Sequence, residues 1–452
     1  MKLAILIVYG VILLAIGIYS ALKVKSPVDY FIAGKRNGIL QISGSLLATI
    51  LGGSAILGTI NLTQHQSWAA AWYILAASFG LLILVPVVKK VSRLGKFTLP
   101  ELIGRFYGEQ ARKTASVIIP LAWLGIVAAQ IIASAQILAS FFNLDYSIGV
   151  FISGAVFIIY TLIGGQVSIL KTDFIQSIII IAGITITFFI LRNKPDIDPV
   201  PVRITFPFNQ HFSPIDLLIL VLTFSSTFVV GPDIYSRIFC ARNERTSQIS
   251  VLITALILIP FAFLLAYIGV CSFETNPNQE GTSALVNIIL AYLPDWGIGL
   301  MVAALLSTVL SSADTTLLTA SIILSELFHK DIDNQKSFIQ TKYFIVVIGI
   351  ASMLIALQIS SIIASLLLAL SFYSGAFIVP MIAALFNLPY SNKHSLWAML
   401  SGGIIALSGK ISISFFQFEY GNWIIIAGFV VNAVILFLFR DKSRYFKARE
   451  KQ

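Results

Sequence analysis

Apolar residues run through this chain in long blocks, not in the alternating patterns of a half-buried sheet. Thirteen blocks approach the ~20 residues that a helix needs to cross a bilayer. They lie near 3–22, 40–62, 68–91, 114–142, 147–164, 172–191, 215–238, 248–273, 297–328, 338–358, 361–386, 395–413 and 422–440. In lipid each backbone N–H and C=O must be satisfied within its own segment, so each block predicts a helix. The expected fold class is an all-α polytopic membrane protein with thirteen transmembrane helices. Thr98-Leu-Pro-Glu101 has capping-box spacing and predicts a short helix through Phe106. The segment 192–214, with Pro195, Pro199, Pro201, Pro207 and Pro214, reads as an extended surface loop.

Charge orients these helices. With the N-terminus outside and the C-terminus in the cytoplasm, 25 of the 30 Lys and Arg residues fall on inside segments, Arg237, Arg242 and Arg245 among them. Only Lys2, Arg192, Lys194, Arg203 and Lys410 fall outside, and 272–296 has no basic residue. The net charge of +10 is therefore a topology signal and not a nucleic-acid footprint. Hydrophobic residues make up 58% of the chain and charged ones 11%, which leaves no soluble domain. The first block lacks a small-residue cleavage site and is expected to be retained in a multi-pass protein of the plasma (inner) membrane. Nothing in the pattern calls for more than a monomer. Cys240 and Cys271 make no disulfide framework, and four scattered histidines make neither a metal spacing nor an HExxH helix, so an enzyme is not expected.

In this topology spans two and seven start on opposite sides of the membrane, so 2–6 and 7–11 would form an inverted five-plus-five repeat. Carriers built in this way interrupt the first helix of each half near the midplane. Span two holds Leu51-Gly52-Gly53-Ser54; span seven holds Ser225-Ser226-Thr227 and Gly231-Pro232. The implied division is 1–39 for the first helix and its loop, 40–192 for the first repeat and 193–214 for an extracellular loop. It continues with 215–386 for the second repeat, 387–440 for two peripheral helices and 441–452 for a basic cytoplasmic tail.

Span nine carries Ser307, Thr308, Ser311, Ser312, Asp314, Thr315 and Thr316 at membrane depth, where polar groups are costly without a partner, a cavity or an ion. Ser311, Asp314 and Thr315 share one helix face. The depth of Ser312 matches that of Leu51, so carbonyls of Ala48 and Leu51, one near Thr308, and the hydroxyls of Ser311 and Ser312 could surround one ion. Five neutral oxygens suit Na⁺ better than a divalent cation. About one turn nearer the cytoplasm, ~5 Å, Asp314 and Thr315 could meet Asp173 at a second cation or proton site. Ser54, Trp72, Tyr73, Gln130, Ser134, Ser226, Thr227 and Tyr373 are the candidate lining of a solute cavity. The middle of every span is free of Lys and Arg in this reading, which leaves zwitterions, sugars and other small polar solutes open.

Several stretches are similar to the sodium:solute symporter family of sodium/proline, sodium/pantothenate, sodium/sialic acid and sodium/glucose carriers. They are Asp29-Tyr-Phe-Ile-Ala-Gly-Lys35, Ala48-Thr-Ile-Leu-Gly-Gly-Ser-Ala-Ile-Leu-Gly58, and Thr98-Leu-Pro-Glu101 with Arg105-Phe106. Thr161-Leu-Ile-Gly-Gly165 with Thr172-Asp173 and Gln176, Ser236-Arg237-Ile-Phe-Cys-Ala-Arg242, and Ser311-Ser-Ala-Asp-Thr-Thr-Leu-Leu-Thr-Ala-Ser321 complete the set, in family order. The resemblance implies a leucine-transporter-type core and sodium-coupled uptake of a small polar organic solute by alternating access. It implies sodium held by positions matching Ala48, Leu51, Thr308, Ser311 and Ser312, and, in two-sodium members, by positions matching Asp173, Ser311, Asp314 and Thr315. Asp314 stands where those members typically have Ser, so Na⁺ and H⁺ both stay open there. A proton-coupled carrier, or a solute sensor without transport, is the alternative.

Overall fold

The computed structural model describes residues 2–22, 24, 26–95, 98–194, 205–275, 282–329, 334–359, 361–391 and 393–438. Pro195, Pro199, Pro201, Arg203 and the basic tail 441–452 lie outside the described residues. The described chain is helical, with two isolated β-bridges, Asn37 with Ala241 and Asn209 with Phe212.

The first half comprises α1 (Lys2–Ala21), α2 (Pro27–Ile32), α3 (Ile39–Ile50), α4 (Gly53–Gln66), α5 (Trp72–Leu84), α6 (Val88–Leu94), α7 (Leu99–Tyr107), α8 (Glu109–Phe142) and α9 (Tyr146–Arg192). The second comprises α10 (Pro214–Leu220), α11 (Ser226–Val229), α12 (Pro232–Cys240), α13 (Glu244–Thr275), α14 (Thr282–Tyr292), α15 (Asp295–Glu326), α16 (Gln335–Gln358) and α17 (Ile362–Leu385). Two further helices follow, α18 (Ser395–Phe416) and α19 (Gly421–Leu438). Ten helical segments are long and apolar enough to cross a membrane, and Lys2–Ala21, Ile39–Ile50 and Thr282–Tyr292 hold shorter apolar stretches.

Both interruptions lie where the glycines predict them. Leu51 (φ −79°, ψ 41°) and Gly52 (φ −67°, ψ 169°) leave the helical region between α3 and α4. Val230 (φ −133°, ψ 52°) and Gly231 separate α11 from α12, and Pro232 starts α12 where a missing N–H costs nothing. A π turn at Val221–Ser225 precedes the second break. At Gly52 the reason for glycine is space: a Cβ there would run into the Ser312 hydroxyl.

Blocks five and six form one helical run, α9, of 47 residues, about 70 Å at 1.5 Å per residue and more than twice the ~30 Å hydrocarbon depth. Gly165 interrupts it at φ 56°, ψ −171°, a conformation that side chains with a Cβ avoid. Tyr160 before the interruption and Ser168 after it both reach Gly17 of α1. The capped helix expected after Thr98 is α7, with the Thr98 hydroxyl accepting from Glu101 N–H at 3.3 Å.

One helix lies outside the thirteen apolar blocks, within 272–296. Thr282–Tyr292 is helical because Ala284, Leu285, Val286, Ile288 and Ile289 bury against the bundle, and the Thr282 hydroxyl donates to Gln136 on α8 at 2.9 Å. A block too short to cross a membrane still gains by burying one apolar face.

Candidate functional site

The break between α3 and α4 frees backbone carbonyls, and α15 brings hydroxyls to them. Ser311 Oγ donates to Ala48 O at 2.9 Å and Ser312 Oγ to Thr49 O at 2.7 Å. Ser311 also lies 3.3 Å from Thr308 O. The sequence pairs Ser312 with Leu51; in the structure it bonds two residues earlier, while its hydroxyl also abuts Gly52. Ala48, Leu51, Thr308, Ser311 and Ser312 are all buried, and the Ser311 hydroxyl brings Ala48 O and Thr308 O together. The donors are two hydroxyls and carbonyl oxygens, a set of neutral oxygens that fits a monovalent hard cation. Among the described residues no cluster of three or more His, Cys, Asp or Glu is placed to hold a metal.

One turn down lies a charged centre that span composition did not reveal. Charge counting puts Arg237 on an inside segment, but its side chain is 0% exposed. Its Nη2 donates to Asp173 Oδ2 at 3.0 Å and to the Thr315 hydroxyl, its Nε to Ser45 Oγ at 3.0 Å, and its Nη1 to Ser236 Oγ at 3.0 Å. Ser45 Oγ in turn donates to Asp173 Oδ2 at 2.5 Å. The expected meeting of Asp173 with Thr315 therefore takes place across a guanidinium. Asp314 shares the centre: Oδ1 accepts from Thr315 Oγ1 at 3.4 Å, and Oδ2 has no partner among the described residues. Asp173 Oδ1 is unpartnered likewise. Two buried carboxylates facing one guanidinium leave a formal charge of −1, which a small cation or a proton would balance.

Of the eight residues expected to line a solute cavity, three do. Ser54, Gln130 and Thr227 border a chamber of about 60 Å³ between the two broken helices and α8, together with Thr49, Ser312 and Thr316. Gln130 Nε2 donates to Ser54 Oγ at 2.8 Å, while Ser54 N–H points back at Gln130 Oε1. The other five are used elsewhere. Trp72 stacks on Phe206 and donates to Pro207 O at 3.0 Å, fastening the outer loop. Ser134 accepts from Ser153 at 2.8 Å, joining α8 to α9. Ser226 bonds its own helix at Leu222 O. Tyr373 donates to Val230 O, the carbonyl freed by the second break.

Tyr73 borders a different space, a vestibule of about 290 Å³ that also holds His211, Asp216 and Lys410. It stacks on Phe224, which borders the inner chamber, with ring centroids 4.3 Å apart. This pair partitions the two spaces. Sequence reasoning missed Asp233, Trp123, Phe224 and Phe228 of the chamber wall. Asp233 directly follows the Gly231-Pro232 break and could have been found by asking what a break exposes.

On the side where the basic residues gather, Glu326 closes the bundle. Its carboxylate accepts from Arg112 Nη1 at 3.1 Å and from the Thr98 hydroxyl, tying α7 and α8 to the end of α15. Asn37 Nδ2 donates to Cys240 O at 3.0 Å, which joins the approach to α3 to the end of α12.

Residues 30–402 match the sequence model described as the sodium:solute symporter family. An uncharacterized symporter of Bacillus subtilis is 22% identical over 423 residues, 87% of this chain and 82% of its own length. The sodium/proline symporter of Haemophilus influenzae is 24% identical over 353 residues, 72% of this chain and 69% of its own. Among solved structures, a substrate-bound, outward-open Na⁺-coupled sialic acid symporter superposes with a TM-score of 0.79 over 96% of both chains. Identity to it is 18%, so that likeness is one of fold. Since the matched region takes in both helix breaks and the hydroxyl-bearing α15, this multi-pass membrane chain belongs to the sodium:solute symporter family.

Proposed function

We propose that the chain is a sodium-coupled secondary active symporter that imports a small polar organic solute by alternating access. The observation that carries this is the Ser311 hydroxyl seated on the Ala48 carbonyl at the helix break. Ala48, Leu51, Thr308, Ser311 and Ser312 would hold the ion, and Ser54, Gln130 and Thr227 would face the solute. The thirteen apolar blocks would all cross the inner membrane, in the five-plus-five arrangement with the N-terminus outside.

Coupling then means that Na⁺ favours the solute-competent state and that solute tightens Na⁺ by the same factor. The test is solute uptake into proteoliposomes under an imposed sodium gradient, against potassium in its place. Accumulation above the external concentration only with sodium is expected; equal uptake in potassium removes sodium coupling.

A proton-coupled carrier is the second reading, favoured by the inner centre. Arg237 already balances Asp173, so Asp314 is the carboxylate left for a proton or a second Na⁺. Uptake driven by an inward proton gradient in sodium-free medium would favour it.

A further inference from the structure

The inner chamber has a charge character that the functional reading does not use. Among its described lining residues Asp233 is the one charged side chain. The same walls carry three aromatic rings, Trp123, Phe224 and Phe228, the last two meeting edge to face at 5.1 Å. Trp123 is buried, and its Nε1–H has no acceptor among the described residues. Arg237, one helical turn beyond Asp233 on α12, is near enough for its charge to act on Asp233, but its hydrogen bonds go to Asp173, Ser45, Ser236 and Thr315.

We propose that the transported solute carries a positively charged ammonium group, which Asp233 and the faces of Trp123, Phe224 and Phe228 hold in this chamber. The proposal rests on the transport reading above. A carboxylate in a small, mostly apolar space gains most from a fixed cation of opposite sign. Aromatic faces attract the same group through their negative quadrupole. The Trp123 N–H is left to meet an oxygen at the solute's other end. An anion without an ammonium group would face a carboxylate with no basic side chain in the chamber lining, and a neutral sugar would add nothing to the one guanidinium that Asp233 shares with Asp173 and Asp314.

Asp233 also stands in the first turn of α12, where a carboxylate suits the positive end of the helix dipole. A purely structural role would rest on that placement alone. Asp233→Asn keeps an acceptor there while removing the charge, since Asn and Asp serve helix starts alike.

The test uses the full chain in proteoliposomes on a solid-supported membrane, with currents read on solute addition in saturating sodium. Ethanolamine, choline, proline and glycine betaine are set against glucose and acetate. At least one of the four ammonium compounds is expected to evoke a current, and glucose and acetate none. Asp233→Asn is expected to raise half-saturation for the active solute about tenfold while leaving that for sodium unchanged. Silence from all four, a current from glucose or acetate, or unaltered solute affinity in Asp233→Asn overturns the proposal. A shift in sodium affinity alone would make Asp233 an ion ligand and overturns it equally. Should the variant fail to fold, wild-type selectivity decides by itself. Thermal shift with the same solutes in sodium and in potassium keeps the two ideas apart: an ammonium compound that stabilises the protein equally in both salts sustains this proposal and sinks sodium coupling.

Discussion

Ser311 and Ser312 sit side by side on α15 yet reach two different carbonyls of α3, Ala48 O and Thr49 O. Removing either hydroxyl strips one neutral oxygen from the proposed ion site without disturbing a charge. Ser311→Ala and Ser312→Ala should each weaken half-saturation for sodium by about tenfold, ~1.4 kcal/mol; Ser311→Ala should preserve the solute's own affinity in saturating sodium, whereas Ser312 also borders the chamber. Sodium titration of uptake checks this; an unchanged sodium curve in both variants would refute the site assignment. These two serines and Asp314 were readable in the sequence because polar groups stand out in an apolar block. Arg237 was not: it lies near the end of a block, where a basic residue ordinarily reads as a topology marker. What draws it inward is tertiary. Asp173 and Ser45, both distant in sequence, supply acceptors that no local window contains. Tyr373 and Trp72 were misplaced for a related reason, since the partners that claim them are backbone carbonyls of remote segments.

Among the elements, the long run Tyr146–Arg192 depends most on a single position. Gly165 bends it at φ 56°, and the space where a Cβ would stand is filled by the Tyr30 ring of α2. Gly165→Ala should therefore cost at least about 2 kcal/mol from the backbone alone, before any clash with Tyr30. The readout is a lowered thermal unfolding midpoint in detergent; a midpoint equal to wild type would mean that the bend is not required. The separate apolar blocks 147–164 and 172–191 forecast two spans here, and Gly165 lay in the gap, so the turn was legible even though the helical hydrogen bonding runs nearly through it. Helix α14 was not legible as an element, because 11 residues carry too little periodic signal to separate a packed short helix from a loop.

At the scale of the whole molecule the fold divides into a basic-rich side and a basic-poor side. The first is held shut by Glu326 with Arg112 and Thr98, and by Asn37 with Cys240 O. The second opens into the vestibule bounded inward by Tyr73 and Phe224. The proposed orientation sets the vestibule outside. A cysteine introduced at Asn422, which borders the vestibule, should react in intact cells with a membrane-impermeant maleimide. One at Lys393, on the basic-rich side, should react only after permeabilisation. The reverse labelling would invert the topology. The all-helical, multi-pass character was visible in the hydrophobic blocks. The chamber wall was not, because its aromatic residues look, in sequence, like any other packing residues.

The hydroxyl of Tyr373 grips the carbonyl of Val230 at the second break, and lower on the same rod, α17, the Tyr107 hydroxyl grips Pro380 O at 2.6 Å. Two residues on from Tyr373, Asn432 of α19 donates to Gly375 O at 2.6 Å. All three bonds fall on the stretch 373–380 of α17. A displacement of the second break would therefore pull on the same short length of rod that α7 and α19 clasp.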